Sequence, residues 1–236
     1  MNQIRKRAQE KREEICRDRR YLHQNPEIGM DLPGTVSYIG ERLSEMGIKW
    51  NFCGGELSEK MTADYMEAGF PEMKKAVGIT AVIGQGRPCI LLRADMDALP
   101  IREETGLPYC STNGYGHMCG HDSHAAMLLG AAGILKEMES ELCGSVKLLF
   151  QPGEETGAGA KMMVAGGALR NPDVDAAFGL HVQPLQETGR VGYCRGVNSA
   201  SLDTFIVKIK GKGGHSSQPQ ICVDPLMILN QVYQAS

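Results

Sequence analysis

Hydrophobic and polar positions follow two rhythms along the chain. Four short apolar runs, "AVGITAVIG" (76–84), "CILLRA" (89–94), "SVKLLF" (145–150) and "DAAFGLHV" (175–182), have the length and bounding turns of β-strands. The turn "GQGRP" separates the first two. Helical patterns lie around and between them. "PEIGMDLPGTVSYIGERLSEMGI" (26–48) reads as a turn and then a helix of about four turns ending at Gly47. "SHAAMLLGAAGILKEM" (123–138) is apolar nearly all round, which predicts a helix buried between layers, and "GAKMMVAGGAL" (159–169) predicts another. This alternation is that of an α/β protein. The stretch from Cys53 to Val77 is polar and rich in methionine, and is expected to be a surface excursion.

Near Val197 the pattern changes. "TFIVKIKGK" sets Phe205, Val207 and Ile209 against Lys208 and Lys210, as in a half-exposed strand. "DPLMILNQVYQAS" then starts a helix with Asp224 as its N-cap and Pro225 at its first position. One strand and one helix cannot cover each other's apolar faces. The expected division is one domain over residues 1–196 and the incomplete start of a second over 197–236.

Composition narrows the function. The net charge is −3, and basic residues cluster only in the opening "MNQIRKRAQEKREEICRDRR", where acids are interleaved. That argues against nucleic-acid binding and against a membrane surface. The opening lacks the apolar core of a signal peptide, and no apolar run approaches the ~18 residues of a membrane span. Eight scattered cysteines do not form a disulfide framework, so thiols in the cytoplasm are expected.

The candidate chemistry lies where apolar runs end. "CILLRA" leads into Asp95 and Asp97, "SVKLLF" through "QPG" into Glu154 and Glu155, and "DAAFGL" into His181. In open α/β sheets, ligands gather beyond the carboxyl ends of the strands. The loop "HMCGHDSH" (117–124), with half of the six histidines, leads into the buried helix. Asp95, Asp97, Cys119, His121, Glu154, Glu155 and His181 could therefore share one pocket. Carboxylate, imidazole and thiolate together suit zinc, manganese, cobalt or nickel. Taken singly, Cys119 and His121 are ordinary loop residues, Asp122 or Ser123 is a helix cap, and His117 and His124 are supporting residues.

In this order, "LLRADMDALPI", "HMCGHDSHAAMLLGAA", "LLFQPGEETGAGAKMMVAGGAL", "FGLHVQP" and "GKGGHSSQP" resemble the aminoacylase and hippurate-hydrolase branch of the metal-dependent exopeptidases. The resemblance runs from about "RRYLHQNPEIG" to the C-terminus. It implies a mixed sheet flanked by helices, followed by the first strand and helix of an α+β lid. The implied reaction is metal-dependent hydrolysis of the amide between an acyl group and an amino acid. By motif position, Cys119, His121, Glu155 and His181 are the implied ligands of two divalent ions, and Asp97 orients a ligand. Glu154 is the implied general base towards a metal-bound water, whose pKa a divalent ion lowers to ~7. His215 is the implied polariser of the scissile carbonyl, across the interface of a homodimer.

Two departures from the pattern matter. The usual "MHACGH" is "GHMCGH" here. Relatives also continue for well over a hundred residues, finishing the lid and adding a metal-binding histidine. A truncated amidohydrolase is therefore expected, the alternative being a catalytically silent piece that binds metal or a partner. A thiol hydrolase built on Cys119 is a distant third, since no separate base is evident.

Overall fold

Two polar helices, α1 (Asn2–Glu10) and α2 (Arg12–Gln24), open the chain in the computed structural model, which describes residues 2–197, 200–201 and 205–235. These residues divide into two units, Met1–Arg190 and Val191–Ser236. In the first unit α2 is followed by α3 (Pro33–Glu45), which has proline in its first turn, where no backbone N–H is needed. Val36, Ile39, Gly40 and Leu43 form its buried stripe. Then come β1 (Trp50–Glu56), α4 (Glu59–Glu67), β2 (Lys75–Gly84), β3 (Cys89–Asp95), α5 (His121–Glu137), β4 (Ser145–Gln151), α6 (Gly159–Ala165) and β5 (Ala176–Gly179).

The five strands form one mixed sheet in the order β1-β2-β4-β3-β5. β1 and β4 flank β2 antiparallel, whereas β4 and β5 flank β3 in parallel. Side chains alternate across the sheet. Leu148 and Phe150 face the main core with Leu22, Ile39, Leu43, Ile79, Met96 and Leu129. Leu149 faces the other layer with Cys53, Leu91, Met163 and Ala168. The all-round apolar pattern of α5 matches its eleven buried residues.

The excursion expected over 53–77 is instead partly regular. Its first residues belong to β1, an edge strand with Cys53 buried and Phe52 exposed. Ser58 then caps α4 by accepting a hydrogen bond from the Met61 N–H. An edge strand carrying two glycines buries too little to show a period of two.

Parallel pairing fixes the place of the chemistry. Asp95 at the end of β3 lies opposite Gln151 at the end of β4, and Arg93 lies opposite Gly179 at the end of β5. The three following loops therefore leave from one edge of the sheet.

In the second unit, α7 (Pro225–Ala235) starts as expected, the Asp224 carboxylate accepting from the Leu226 N–H at 2.9 Å. The strand expected from Phe205 to Ile209 is not formed. Residues 205–211 lie in no ladder, Phe205 is exposed, and pairing is limited to an isolated bridge between Lys212 and Val223. The physical reason is that an alternating segment needs a neighbouring strand, and none exists among the described residues of this unit. Thr204 lies outside the described residues. No described helix is long and apolar enough to cross a membrane.

Candidate metal centre

His121 opens α5 directly after Gly120, whose φ of +83° is a left-handed conformation suited to glycine. A Cβ at Gly120 would lie 2.4 Å from Val182 Cγ2, so glycine also lets the helix start approach the segment after β5. Neither Asp122 nor Ser123 caps the helix. Asp122 is fully buried and points the other way, to His23 and Arg19.

The imidazole of His121 is completely buried at the centre of the cluster. Its Nδ1 lies 2.9 Å from the carbonyl of Asp97, which can only accept, so Nδ1 carries a proton and Nε2 is the nitrogen turned to the cluster. Around that Nε2 stand Asp95 Oδ2 at 3.6 Å, Glu154 Oε2 at 3.8 Å and Glu155 Oε1 at 3.8 Å. His181 repeats the arrangement. Its Nδ1 donates to the carbonyl of Val182 at 2.7 Å, so Nε2 is the acceptor in the contact with the Cys119 thiol at 3.4 Å. Asp97 Oδ2 accepts from the Glu155 N–H at 3.0 Å, and its Oδ1 is 3.3 Å from His121 Nδ1.

Donor atoms fall within 4.8 Å of one another in three groups: Cys119, His121 and His181; His121, Glu154 and Glu155; and Asp95, His121 and His124. His121 belongs to all three. Within the cluster three buried ligand atoms lack a hydrogen-bond partner, His121 Nε2, Glu155 Oε1 and Asp97 Oδ1, whereas Asp95 Oδ2 is ion-paired with Arg93 Nη1 at 2.7 Å. Buried polar atoms are rarely left unpaired. One imidazole nitrogen and two carboxylate oxygens left so together fit a site for cations.

The electrostatics agree. Burial, then the negative charge of Glu155, Glu154 and Asp95, pushes the Cys119 thiol up to about 12. Burial also raises the Glu155 carboxyl, with Glu154 and Asp97 adding to the effect. Burial opposes charge on His121, yet Asp97, Asp95 and Glu155 hold its pKa up to about 9. Such a cluster keeps protons because it has too little positive charge. Divalent cations would supply that charge and release those protons.

The other two histidines of the loop 117–124 differ in what they touch. His124 has both ring nitrogens engaged, by Asp95 and by the Val182 N–H. His117 is buried without a partner for its Nδ1, and burial lowers its pKa to about 4. His215 belongs to the second unit, where the Ser217 N–H donates to its Nδ1 at 3.2 Å. Sequence reasoning missed His23, which lies between Asp122 Oδ2 at 2.8 Å and Glu103 Oε1 at 3.0 Å. The sequence signal was faint, one histidine in a charged helix and one of two adjacent glutamates.

Residues 91–231, more than half of the chain, match the model of peptidase family M20/M25/M40. The chain belongs to this family. An M20 relative, the N-acetyl-L-cysteine deacetylase of Bacillus subtilis (strain 168), is 41% identical over 219 residues, covering 92% of this chain and 48% of the relative. IAA-amino acid hydrolase ILR1-like 5 of Arabidopsis thaliana is 40% identical, over 91% of this chain and 45% of its own length. The chain thus spans about half the length of the curated relatives it matches. The Bacillus subtilis YXEP protein, described as a dinuclear metal binding peptidase from the M20 family, superposes with a TM-score of 0.60 at 35% identity. That match covers 73% of this chain and 43% of the other.

Proposed function

We propose that this M20 chain carries most of the catalytic half of a metal-dependent amidohydrolase acting on N-acyl amino acids. The observation carrying this reading is the convergence of two imidazole Nε2 atoms, a thiol and two adjacent carboxylates at one sheet edge. Cys119, His121, Glu155 and His181 would hold two divalent ions, of zinc, manganese, cobalt or nickel. When bound, the ions supply Lewis acidity towards water and towards the scissile carbonyl.

The adjacent glutamates divide their tasks by exposure. Glu155 turns inward, with a buried and unpartnered Oε1. The Glu154 side chain is 41% exposed at the rim and is assigned the general base, which takes the proton of water and returns it to the leaving amine. Asp97 fixes the ring of His121 through its carbonyl and the Glu155 backbone through its carboxylate. His215 is assigned the carbonyl-polarising role in a homodimer on its motif "GKGGHSSQP" alone. Eight free thiols fit a reducing compartment, the cytoplasm.

Because the chain spans half of its relatives, a second reading is a chain that binds metal without turnover. One experiment separates the two. The purified protein is assayed on N-acetyl- and N-benzoyl-amino acids with Mn²⁺, Co²⁺ or Zn²⁺, and its metal content is measured. Expected are hydrolysis and, for Glu154→Gln, a loss of about 10²–10⁴-fold with metal retained. Bound metal without turnover selects the second reading, and less than one ion per chain overturns both.

A further inference from the structure

His124 is the buried residue next to the cluster that the proposed reaction leaves without a task. It sits one turn into α5, and its donor atom falls within ligand distance of His121 and Asp95. Its hydrogen bonds decide what it does. The Val182 backbone N–H donates to Nε2 at 2.9 Å, so Nε2 carries no proton. The proton is then on Nδ1, which donates to Asp95 Oδ1 at 2.5 Å. Both nitrogens are spoken for, and His124 has no lone pair left for a cation.

The two partners of His124 are telling. Asp95 is fixed at the end of β3, with Arg93 Nη1 2.7 Å from its other oxygen and Arg93 Nε donating to Gln151 on β4 at 2.9 Å. Val182 is the neighbour of His181, and its carbonyl accepts a hydrogen bond from the His181 Nδ1–H. One peptide segment is thus held at its N–H by His124 and sets the His181 tautomer with its C=O. This segment needs a tether, because β5 is a four-residue edge strand with every residue exposed. Beyond it Leu180 is exposed as well.

We propose that His124 is a positioning residue, linking the rigid end of the sheet at Asp95 to the Val182 amide so that His181 Nε2 is aimed at Cys119. The proposal rests on His181 being a ligand, as the proposed function has it. Partners of this kind change metal affinity by about 10–100-fold when lost.

Two substitutions separate positioning from ligation. In His124→Gln the amide oxygen can still reach the Val182 N–H, whereas His124→Asn is too short to do so. Cobalt affinity is measured by competition with a chelator, cobalt content by elemental analysis, and Val182 amide exchange by NMR on the metal-free protein. Expected for His124→Asn is a 10–100-fold weaker Co²⁺ affinity and loss of Val182 protection, with unchanged cobalt per chain at saturation. His124→Gln should recover most of both. In a His181→Ala background, His124→Asn should weaken cobalt no further. Equal exchange at Val182 in wild type and His124→Asn overturns the proposal, as does a lost ion in both variants, which would make His124 a ligand. If the parent binds no cobalt, the proposed function fails, and the exchange arm still decides whether His124 holds Val182.

Discussion

Replacing His23 with glutamine tests the buried network that ties α2 to the start of α5. The His23 side chain is 8% exposed and joins two carboxylates that are fully buried. Two hydrogen bonds to charged groups contribute about 1.5–3 kcal/mol each, and leaving a buried charge without its partner costs about 3–5 kcal/mol. Both carboxylates keep other donors, however. Asp122 retains Arg19 Nε at 2.7 Å, and Glu103 retains the Ser111 N–H at 2.7 Å. A loss of about 3 kcal/mol is therefore expected at pH 6, or about 1.5 M in urea midpoint for a slope of about 2 kcal/mol/M.

The pH dependence is the sharper part of this test. The hydrogen bond to Asp122 leads in raising the His23 pKa above its ordinary 6.5, against burial, with Glu103 adding to the rise. A histidine that holds its proton more tightly when folded contributes fully below its unfolded value. That contribution is lost as pH rises through the folded value. Asp122 and Glu103 are shifted down despite burial, so their share is present above ordinary carboxylate values and fades on acidification. A pH of 6 lies inside both limits. Once pH passes the folded value, a neutral imidazole keeps one N–H and one of its two bonds, so between pH 6 and pH 9 the gap between wild type and His23→Gln should shrink, towards about half. Urea titrations of both proteins at the two pH values measure that gap. A gap that stays constant, or grows with pH, would refute the reasoning.

Two further outcomes follow from packing. The buried Lys147 ammonium donates to the carbonyls of Ala168, Arg170 and Pro172 at 3.2, 2.7 and 2.9 Å. Lys147→Met strands these acceptors but relieves a buried charge, and a net loss of about 2 kcal/mol in urea denaturation is expected. A Cβ at Gly159 would lie 1.7 Å from the Pro152 carbonyl oxygen. Gly159→Ala should then destabilise by about 1–3 kcal/mol in thermal melts, although the same change in an open helix stabilises.

The parts of the fold that announce themselves in the sequence are those with a strong period. β2, β3 and β4 are buried runs, and α5 is apolar all round because the sheet, α2 and α3 enclose it. β1 escaped because Gly54 and Gly55 leave it little to bury. Phe205 to Ile209 misled because alternation states a preference for a sheet and says nothing of a partner. At the candidate centre, residue types and strand ends pointed to one pocket for Asp95, His121, Glu154 and Glu155, and the three carboxylates lie within 3.8 Å of His121 Nε2. The roles of Asp122 and His124 were harder to read. They depend on which way each residue of one helical turn faces, and His23 and Val182, which settle it, lie 99 and 58 residues away.

The parallel pairing of β3 with β4 also governs the order in which the molecule can assemble. The connection between them, residues 96–144, contains Cys119 and His121 and must close for β3 and β4 to pair. Closing a long connection carries an entropic cost that local contacts do not, so this step comes late. If Cys119 and His121 hold metal as proposed, the same thiol and imidazole, two positions apart, would also chelate it on an unfolded chain. Metal that reaches them early stabilises that chain as well as the finished one, and its net contribution to folding shrinks accordingly.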